Sequence, residues 1–155
     1  MNGVLQDRAI LGILEANVTG RLGYTDGTKI YVVPISYLLY DDRYIIAHSR
    51  QGQKIDILRK HPEVCLQVDE IDDLDNWRSV LVWGRYQEIT ATRDKHYALD
   101  LLIRRINRHK LKAEPSATEV PLTEDSTLLP EREKEVVYRI EITEQSGRFQ
   151  NMQTG

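Results

Sequence analysis

Three residues, Ser49, Gly52 and Lys54, follow an apolar segment at the point where a helix is predicted to begin. The first backbone N–H groups of a helix have no intrahelical partner, and the helix dipole is positive at that end. A hydroxyl, a closely approaching glycine backbone and an ammonium would add donors and positive charge, which suits a phosphate group. From this stretch alone, a solvated lysine and an ordinary turn glycine explain the pattern equally well.

A second signal is Pro34, which lies in the middle of a segment rich in Tyr, Ile and Val. Proline cannot donate to a strand ladder, so we expect an edge strand or a bulge here, with neighbouring N–H and C=O groups free to meet a flat heterocycle. The available backbone would be that of Val33, Pro34, Ile35 and Ser36. An edge strand whose proline only blocks unwanted pairing is an equally good interpretation.

Arg78 and Ser79 interrupt a third apolar segment, predicted as a strand over 77–89. Polar groups on a strand that cannot all face water must find partners, so these two residues are candidates for binding a polar ligand. The alternative is an outward-facing Arg78 and a Ser79 that is satisfied within the core.

Composition limits the class of protein. The chain has 155 residues with 41% hydrophobic content, which predicts one domain, 1–155, with a core of its own. A net charge of -3 argues against nucleic-acid binding. Cys65 is the single cysteine, so we predict neither a disulfide nor a cysteine-based zinc site, and a reducing cytoplasmic location. No apolar run is long enough to predict a membrane span.

The periodicity of apolar residues predicts nine helical or extended segments. The helices are expected at 4–15, 52–60 and 92–109, and the strands at 20–24, 29–40, 43–49, 64–68, 77–89 and 136–143. The first three strands should form a meander with turns at Asp26-Gly27 and Asp41-Asp42. Residues 113–130 contain three prolines and predict a long irregular loop, and we expect 150–155 to be a flexible tail. The predicted fold class is mainly β with helices (α+β), an antiparallel barrel of six strands with helices at its ends.

Several other catalytic and binding patterns are excluded or disfavoured. The chain lacks the phosphate loop of nucleotide hydrolases and the serine elbow of α/β-hydrolases. His48 and Ser49 are adjacent on a strand and point to opposite faces, so they cannot form a direct Ser–His pair. The other histidines lack metal-ligand spacing, and we predict no metal site. The acidic run 69–75 is interpreted as a solvated loop, and the basic run 104–110 as the outer face of a helix.

Taken together, the three polar stretches resemble a known family. Val-Pro-Ile-Ser-Tyr at 33–37, His-Ser-x-x-Gly-x-Lys at 48–54 and Trp-Arg-Ser-Val at 77–80 look like the FMN-binding split barrels related to pyridoxamine phosphate oxidase. The branch with nitroimidazole-resistance reductases is the most similar. The resemblance extends from the first helix to the Val-Val-Tyr-Arg-Ile strand, and it implies a six-stranded split β-barrel and a homodimer with FMN in clefts between the subunits.

The resemblance also implies roles for individual residues. Ser49, Gly52 and Lys54 would hold the FMN phosphate. The backbone of residues 33–36 would border the isoalloxazine ring. The polar edge of the ring would be lined by Arg78, Ser79 and Val80, with Arg78 placed to stabilise an anionic reduced flavin.

His48 matches a histidine that lies near the flavin in the nitroimidazole-reductase branch, and it is the candidate catalytic residue, as a proton donor or substrate contact. Two departures argue against oxidation of vitamin B6: the basic strand of true pyridoxamine phosphate oxidases is replaced by Tyr-Val-Val-Pro-Ile-Ser at 31–36, and the substrate-binding ending is missing from the tail. The resemblance therefore predicts an FMN-dependent oxidoreductase that reduces a small acceptor such as a nitroaromatic compound, with NADH or NADPH as candidate donors. The alternatives are a non-catalytic flavin- or haem-binding module and a structural dimerisation domain with an empty site.

Overall fold

The computed structural model describes residues 1–113 and 135–152 of the chain. These residues form three helices and eight strands. The helices are α1 (Asp7–Ala16), α2 (Gln53–Lys60) and α3 (Thr92–Ala113). The strands are β1 (Asn2–Val4), β2 (Thr19–Thr25), β3 (Ile30–Ser36), β4 (Leu38–Tyr40), β5 (Tyr44–Arg50), β6 (Glu63–Asp73), β7 (Asn76–Glu88) and β8 (Glu135–Gln150). Apart from residue 113, which ends α3, the predicted loop at 113–130 lies outside the described residues, and so do residues 153–155 of the predicted tail.

All eight strands belong to one sheet in the order β3-β2-β6-β7-β8-β5-β4, with β1 paired to β8. Every strand pair is antiparallel. β3 and β5, near opposite ends of this order, come into contact, so the sheet curls into a half-barrel. The predicted antiparallel barrel fold is confirmed, whereas the predicted count of six strands is too low by the short strands β1 and β4.

The predicted meander over the first three strands is wrong, because the second predicted strand is interrupted at Tyr37. The expected strand 29–40 is two strands, β3 and β4, which lie at opposite ends of the sheet order. Tyr37 is fully buried between them; its backbone N–H donates to the Val18 carbonyl at 2.9 Å and its hydroxyl to the Leu14 carbonyl at 2.7 Å. Both bonds tie the crossing point to the end of α1, and burial raises the pKa of the Tyr37 hydroxyl.

The main core fills the inside of the curled sheet. Alternate residues of β6 and β7, such as Leu66, Val68, Val80 and Val82, are fully buried there. A second cluster lies on the other face of β5 and β8, where α3 packs over it. This cluster contains Ile46, Val137, Ala98 and Leu99. Among the described residues, the core cluster covers the inner face of the sheet, and α3 covers the outer face around β5 and the start of β8.

Two strand ends differ from the sequence prediction. β6 continues through Asp73, so most of the acidic run 69–75 is strand rather than loop, and Asp73 closes the hairpin by accepting bonds from the Asp75 N–H and the Asn76 amide. β8 continues to Gln150, well beyond the predicted end at 143. Both extensions consist mostly of polar residues, so apolar periodicity does not predict them. An exposed strand that pairs with a long neighbour needs few apolar side chains. No helix within the described ranges is long and apolar enough to cross a membrane.

Candidate functional site

The N-terminus of α2 offers unpaired donors next to open space. Gly52 precedes the helix, and no side chain caps the first N–H groups there. A Cβ added at Gly52 would meet no protein atom within 4 Å. Because the first N–H groups of a helix are unsatisfied and the dipole is positive at this end, an anion can be accommodated here.

Lys54 lies in the first turn of this helix and is half-buried. Desolvation by burial lowers the pKa of its ammonium group. Within the described part of the chain, no carboxylate or other acceptor contacts it. Partial burial of an unpaired charge is unfavourable, so an incoming anion would both pair with Lys54 and offset this cost.

Ser49 and His48 lie near the end of strand β5 on opposite faces, as the sequence predicts. Ser49 is opposite Val136, on the core side, and its hydroxyl donates to the Arg50 carbonyl at 3.2 Å. His48 is opposite Val137, on the side covered by α3. The two side chains can therefore contact different parts of one ligand but not each other.

His48 has a partner that the sequence analysis missed. Its Nδ1 lies 2.9 Å from Oε2 of Glu135 at the start of β8, and the other carboxylate oxygen, Oε1, lies 3.7 Å from Nε of Arg50. His48 and Glu135 are 87 positions apart in the sequence, so only the β5–β8 register brings them together. No local pattern in the sequence signals this contact.

Residues 33–36 lie on β3, which is an edge strand as predicted, since β2 is its one partner among the described strands. Pro34 is exposed and pairs with Arg21 of β2. Ile35 points into the core, whereas Ser36 is exposed. β3 contacts β5, so part of this edge strand lies near the strand that leads into α2.

Arg78 and Ser79 lie on β7, in another part of the molecule. Arg78 is exposed and contacts Glu70, and the Ser79 hydroxyl accepts a bond from the Gln67 amide at 3.0 Å. The side chain of Val80 is fully buried in the core, which leaves only its backbone for a ligand. The alternative of an outward Arg78 and a satisfied core serine is met only in part: the serine is satisfied, but Ser79 is on the outer face, and Arg78 lies on the same face as Val80, at its exposed end.

Within the described chain, Arg78 and Ser79 do not share a cleft with the candidate residues of β3, β5 and α2. Arg78 and Ser79 line an open groove of about 240 Å³ whose other walls come from β6 and the β6–β7 turn, and no residue of β3, β5 or α2 borders it. β5 lies beside the C-terminal end of β7 in the sheet, because Glu88 of β7 pairs with Tyr138 of β8, and Tyr138 pairs with Ala47 of β5. Ser79 precedes Glu88 by nine residues on β7, which is about 30 Å of strand.

The remaining polar candidates do not form a site. No group of three or more His, Cys, Asp or Glu residues that could hold a metal ion occurs in the described ranges. In the basic run of α3, Arg105 donates to the Glu15 carbonyl at 2.9 Å and so caps the last turn of α1.

Comparison with known proteins gives one family. The model of the family described as pyridoxamine 5'-phosphate oxidase matches residues 6–149. An uncharacterized protein of Rhizobium meliloti strain 1021 is 40% identical over 86 residues, which is 56% of this chain and 56% of that protein. The match thus spans just over half of the length of that curated relative.

Solved structures agree in fold. A FAD-binding protein of Mesorhizobium loti is 32% identical, with a TM-score of 0.73 over 96% of this chain and 98% of the other. A candidate 5-nitroimidazole antibiotic resistance protein of Bacteroides thetaiotaomicron is 19% identical, with a TM-score of 0.72 over 96% of this chain and 87% of the other. At that identity the second likeness concerns the fold alone.

Proposed function

Because the chain belongs to the flavin-binding pyridoxamine 5'-phosphate oxidase family, we propose that it binds FMN and acts as an FMN-dependent oxidoreductase on a small acceptor. The observation that carries the cofactor proposal is Lys54, a half-buried ammonium without an acceptor among the described residues, beside the uncapped N-terminus of α2. This combination suits a phosphate monoester, which brings charge and several acceptor oxygens.

In this proposal each part of the site has one task. Ser49, Gly52 and Lys54, which we call the anion site, hold the phosphate. The edge of β3 at 33–36 borders the ring with backbone donors and acceptors. Bound flavin supplies hydride and electron transfer, while the chain orients the ring and sets the charge around it.

We further propose that the chain is a homodimer in which Arg78 and Ser79 complete the site of the partner copy. Two observations support this. The groove at Arg78 and Ser79 shares no residue with the anion site. The outer face of β3 and β6 has exposed apolar side chains, with Ile30 82%, Val32 65% and Ile71 64% accessible, next to the polar residues Arg21 and Asp69. A second copy on this face would bury it and bring Arg78 to the other chain's cleft.

The proposed acceptor is a nitroaromatic or similar small compound, with NADH or NADPH as the electron donor. The fold shared with the Bacteroides protein supports this choice. Pyridoxamine 5'-phosphate is not expected to be oxidised, because strand β3 lacks the basic residues of true pyridoxamine phosphate oxidases. Turnover of NADH or NADPH with a panel of acceptors that includes pyridoxamine 5'-phosphate tests both statements.

FAD is the second candidate cofactor, because the relative at 32% identity is a FAD-binding protein that covers nearly the whole chain. The anion site can accept the phosphate next to the ribityl chain in either flavin. Mass spectrometry of the flavin released by heating the purified protein separates the two. Titration of flavin-free protein with each compound gives their relative affinity.

The visible spectrum of the purified protein is the first test. Flavin bands, or quenching of the fluorescence of added FMN, would support the proposal. A Soret band would indicate a haem-binding module instead. A colourless protein that leaves the fluorescence of both FMN and FAD unchanged would contradict it.

A further inference from the structure

The contact between His48 and Glu135 joins β5 to β8 by a diagonal cross-strand pair. Glu135 is directly opposite Arg50, and His48 is directly opposite Val137. The distance of 2.9 Å between Nδ1 and Oε2 is that of a good hydrogen bond. Both side chains are partly shielded, with 37% of His48 and 20% of Glu135 accessible.

This contact selects one tautomer of the neutral imidazole. An ionised carboxylate can only accept hydrogen bonds, so the shared proton must be on Nδ1. In the neutral ring Nε2 then has no proton and presents a lone pair. No other described residue forms a hydrogen bond or ion pair with Nε2. Nε2 is not one of the fully buried side-chain atoms that lack a partner, so it can meet a ligand or solvent.

We propose that Glu135 is a positioning residue that fixes the orientation and tautomer of His48, and that Nε2 of His48 delivers a proton to the acceptor. This inference rests on the proposed function. Glu135 does not itself touch the ligand in this arrangement. It acts through the imidazole, in the way that a carboxylate orients a histidine in other proton-transfer sites.

Before transfer, His48 is protonated on both nitrogens. The Nε2–H bond breaks, its electron pair stays on Nε2, and the proton passes to the acceptor. Reduced flavin, when bound, would supply the accompanying hydride. Nδ1 keeps its proton on Glu135 throughout, and solvent reprotonates the open Nε2.

The first test needs no flavin. In flavin-free protein with ¹⁵N-labelled histidine, at about pH 8.5 where an ordinary histidine is neutral, we expect the nitrogen shifts of His48 to show protonation on Nδ1. Glu135→Ala should lose this preference, because it removes the oxygen that accepts from Nδ1–H. Glu15→Ala, the same substitution at an exposed glutamate of α1, should keep it. A wild-type His48 protonated on Nε2 would overturn the proposal.

The second test uses protein loaded with flavin. Glu135→Ala should lower turnover by about 100-fold, the lower end of what general acid catalysis contributes, with unchanged flavin affinity. In a His48→Gln background the same substitution should have no further effect. An equal loss in both backgrounds, or unchanged turnover in Glu135→Ala alone, would refute the positioning role. If the wild-type protein binds no flavin, the proposed function fails, and the proton-delivery role fails with it. The nitrogen shifts of flavin-free protein still test separately whether Glu135 fixes the tautomer of His48.

Discussion

At the scale of single residues, Lys54 is a partly buried cation for which no acceptor is found among the described residues. Folded chains keep lysine ammonium groups in water or pair them with carboxylates, because removing a charge from water is costly. Lys54 is half-buried, and its pKa is lowered by desolvation. A residue in this state contributes little to folding, which is why we assign it to ligand binding.

We expect Lys54→Ala to weaken FMN binding by about 1.5 to 3 kcal/mol, through loss of a charge-assisted contact to phosphate. This corresponds to a rise in Kd of about 10- to 100-fold, measurable by fluorescence titration. Lys60→Ala removes an exposed lysine from the last turn of the same helix and is the matched control. Equal affinities for the two variants would exclude Lys54 from the phosphate contacts.

At the scale of secondary-structure elements, α2 must be held firmly for its N-terminus to serve as a binding site. Ile55 and Leu58 bury one side of the helix in the core. Arg59 anchors the other side to β7 through two hydrogen bonds to Glu88, of 2.9 and 3.1 Å. The hydrogen bond from Arg59 is the main reason why the pKa of Glu88 is lowered from its ordinary value of 4.5.

This shift predicts a pH dependence of stability. The unfolded chain protonates Glu88 at a higher pH than the folded chain does, so the stabilisation is complete above pH 4.5 and is lost as the pH falls through the lowered value. Urea unfolding from about pH 7 to about pH 3 should show a steeper loss of stability in the wild type than in Glu88→Gln. Glu15→Gln should follow the wild-type curve. A Glu88→Gln curve as steep as the wild-type curve would show that the pair contributes nothing.

Gly84 gives a second prediction at this scale. The register of β7 against β8 shifts between Trp83 and Gly84, and a Cβ at position 84 would lie 2.3 Å from the Glu141 carbonyl oxygen. Because that atom belongs to a paired backbone, Gly84→Ala must displace the strand and should lower the free energy of unfolding by about 1 to 3 kcal/mol or more. Gly12→Ala, where a Cβ meets nothing within 4 Å on an exposed helix position, should stabilise instead. Chemical denaturation of both variants measures the contrast.

At the scale of the whole molecule, the proposed site is divided between two regions of the chain. The anion site lies at β5 and α2, and Arg78 lies near the other end of β7. A symmetric dimer resolves this separation, because a two-fold axis gives each cleft one region from each copy.

Subunit mixing tests this arrangement. Lys54→Ala and Arg78→Ala homodimers should each bind flavin weakly. After subunit exchange, each mixed dimer has one doubly substituted site and one intact site, so about a quarter of all sites should regain wild-type affinity. Recovery is read by flavin titration before and after mixing. No recovery despite exchange would mean that both residues serve the same chain's site, or that Arg78 serves none.

Much of this structure depends on residues that are neighbours in sequence. Examples are the apolar periodicity of the three helices and the turn at 41–42, whose two aspartates adopt positive φ. The transition from strand to helix between Ser49 and Lys54 is a third example. These features were therefore predictable, and they also carried the family resemblance.

Tertiary structure decided the rest, because the responsible contacts join residues far apart in the chain. Burial of Tyr37 against α1 sends β3 and β4 to opposite ends of the sheet, which no periodicity of 29–40 reveals. The β5–β8 register alone places Glu135 against His48. The face on which Ser79 lies depends on its neighbours in β6 and β8. The sequence thus determined which groups could bind a phosphate, and the curled sheet decided which of them share a cleft within one chain.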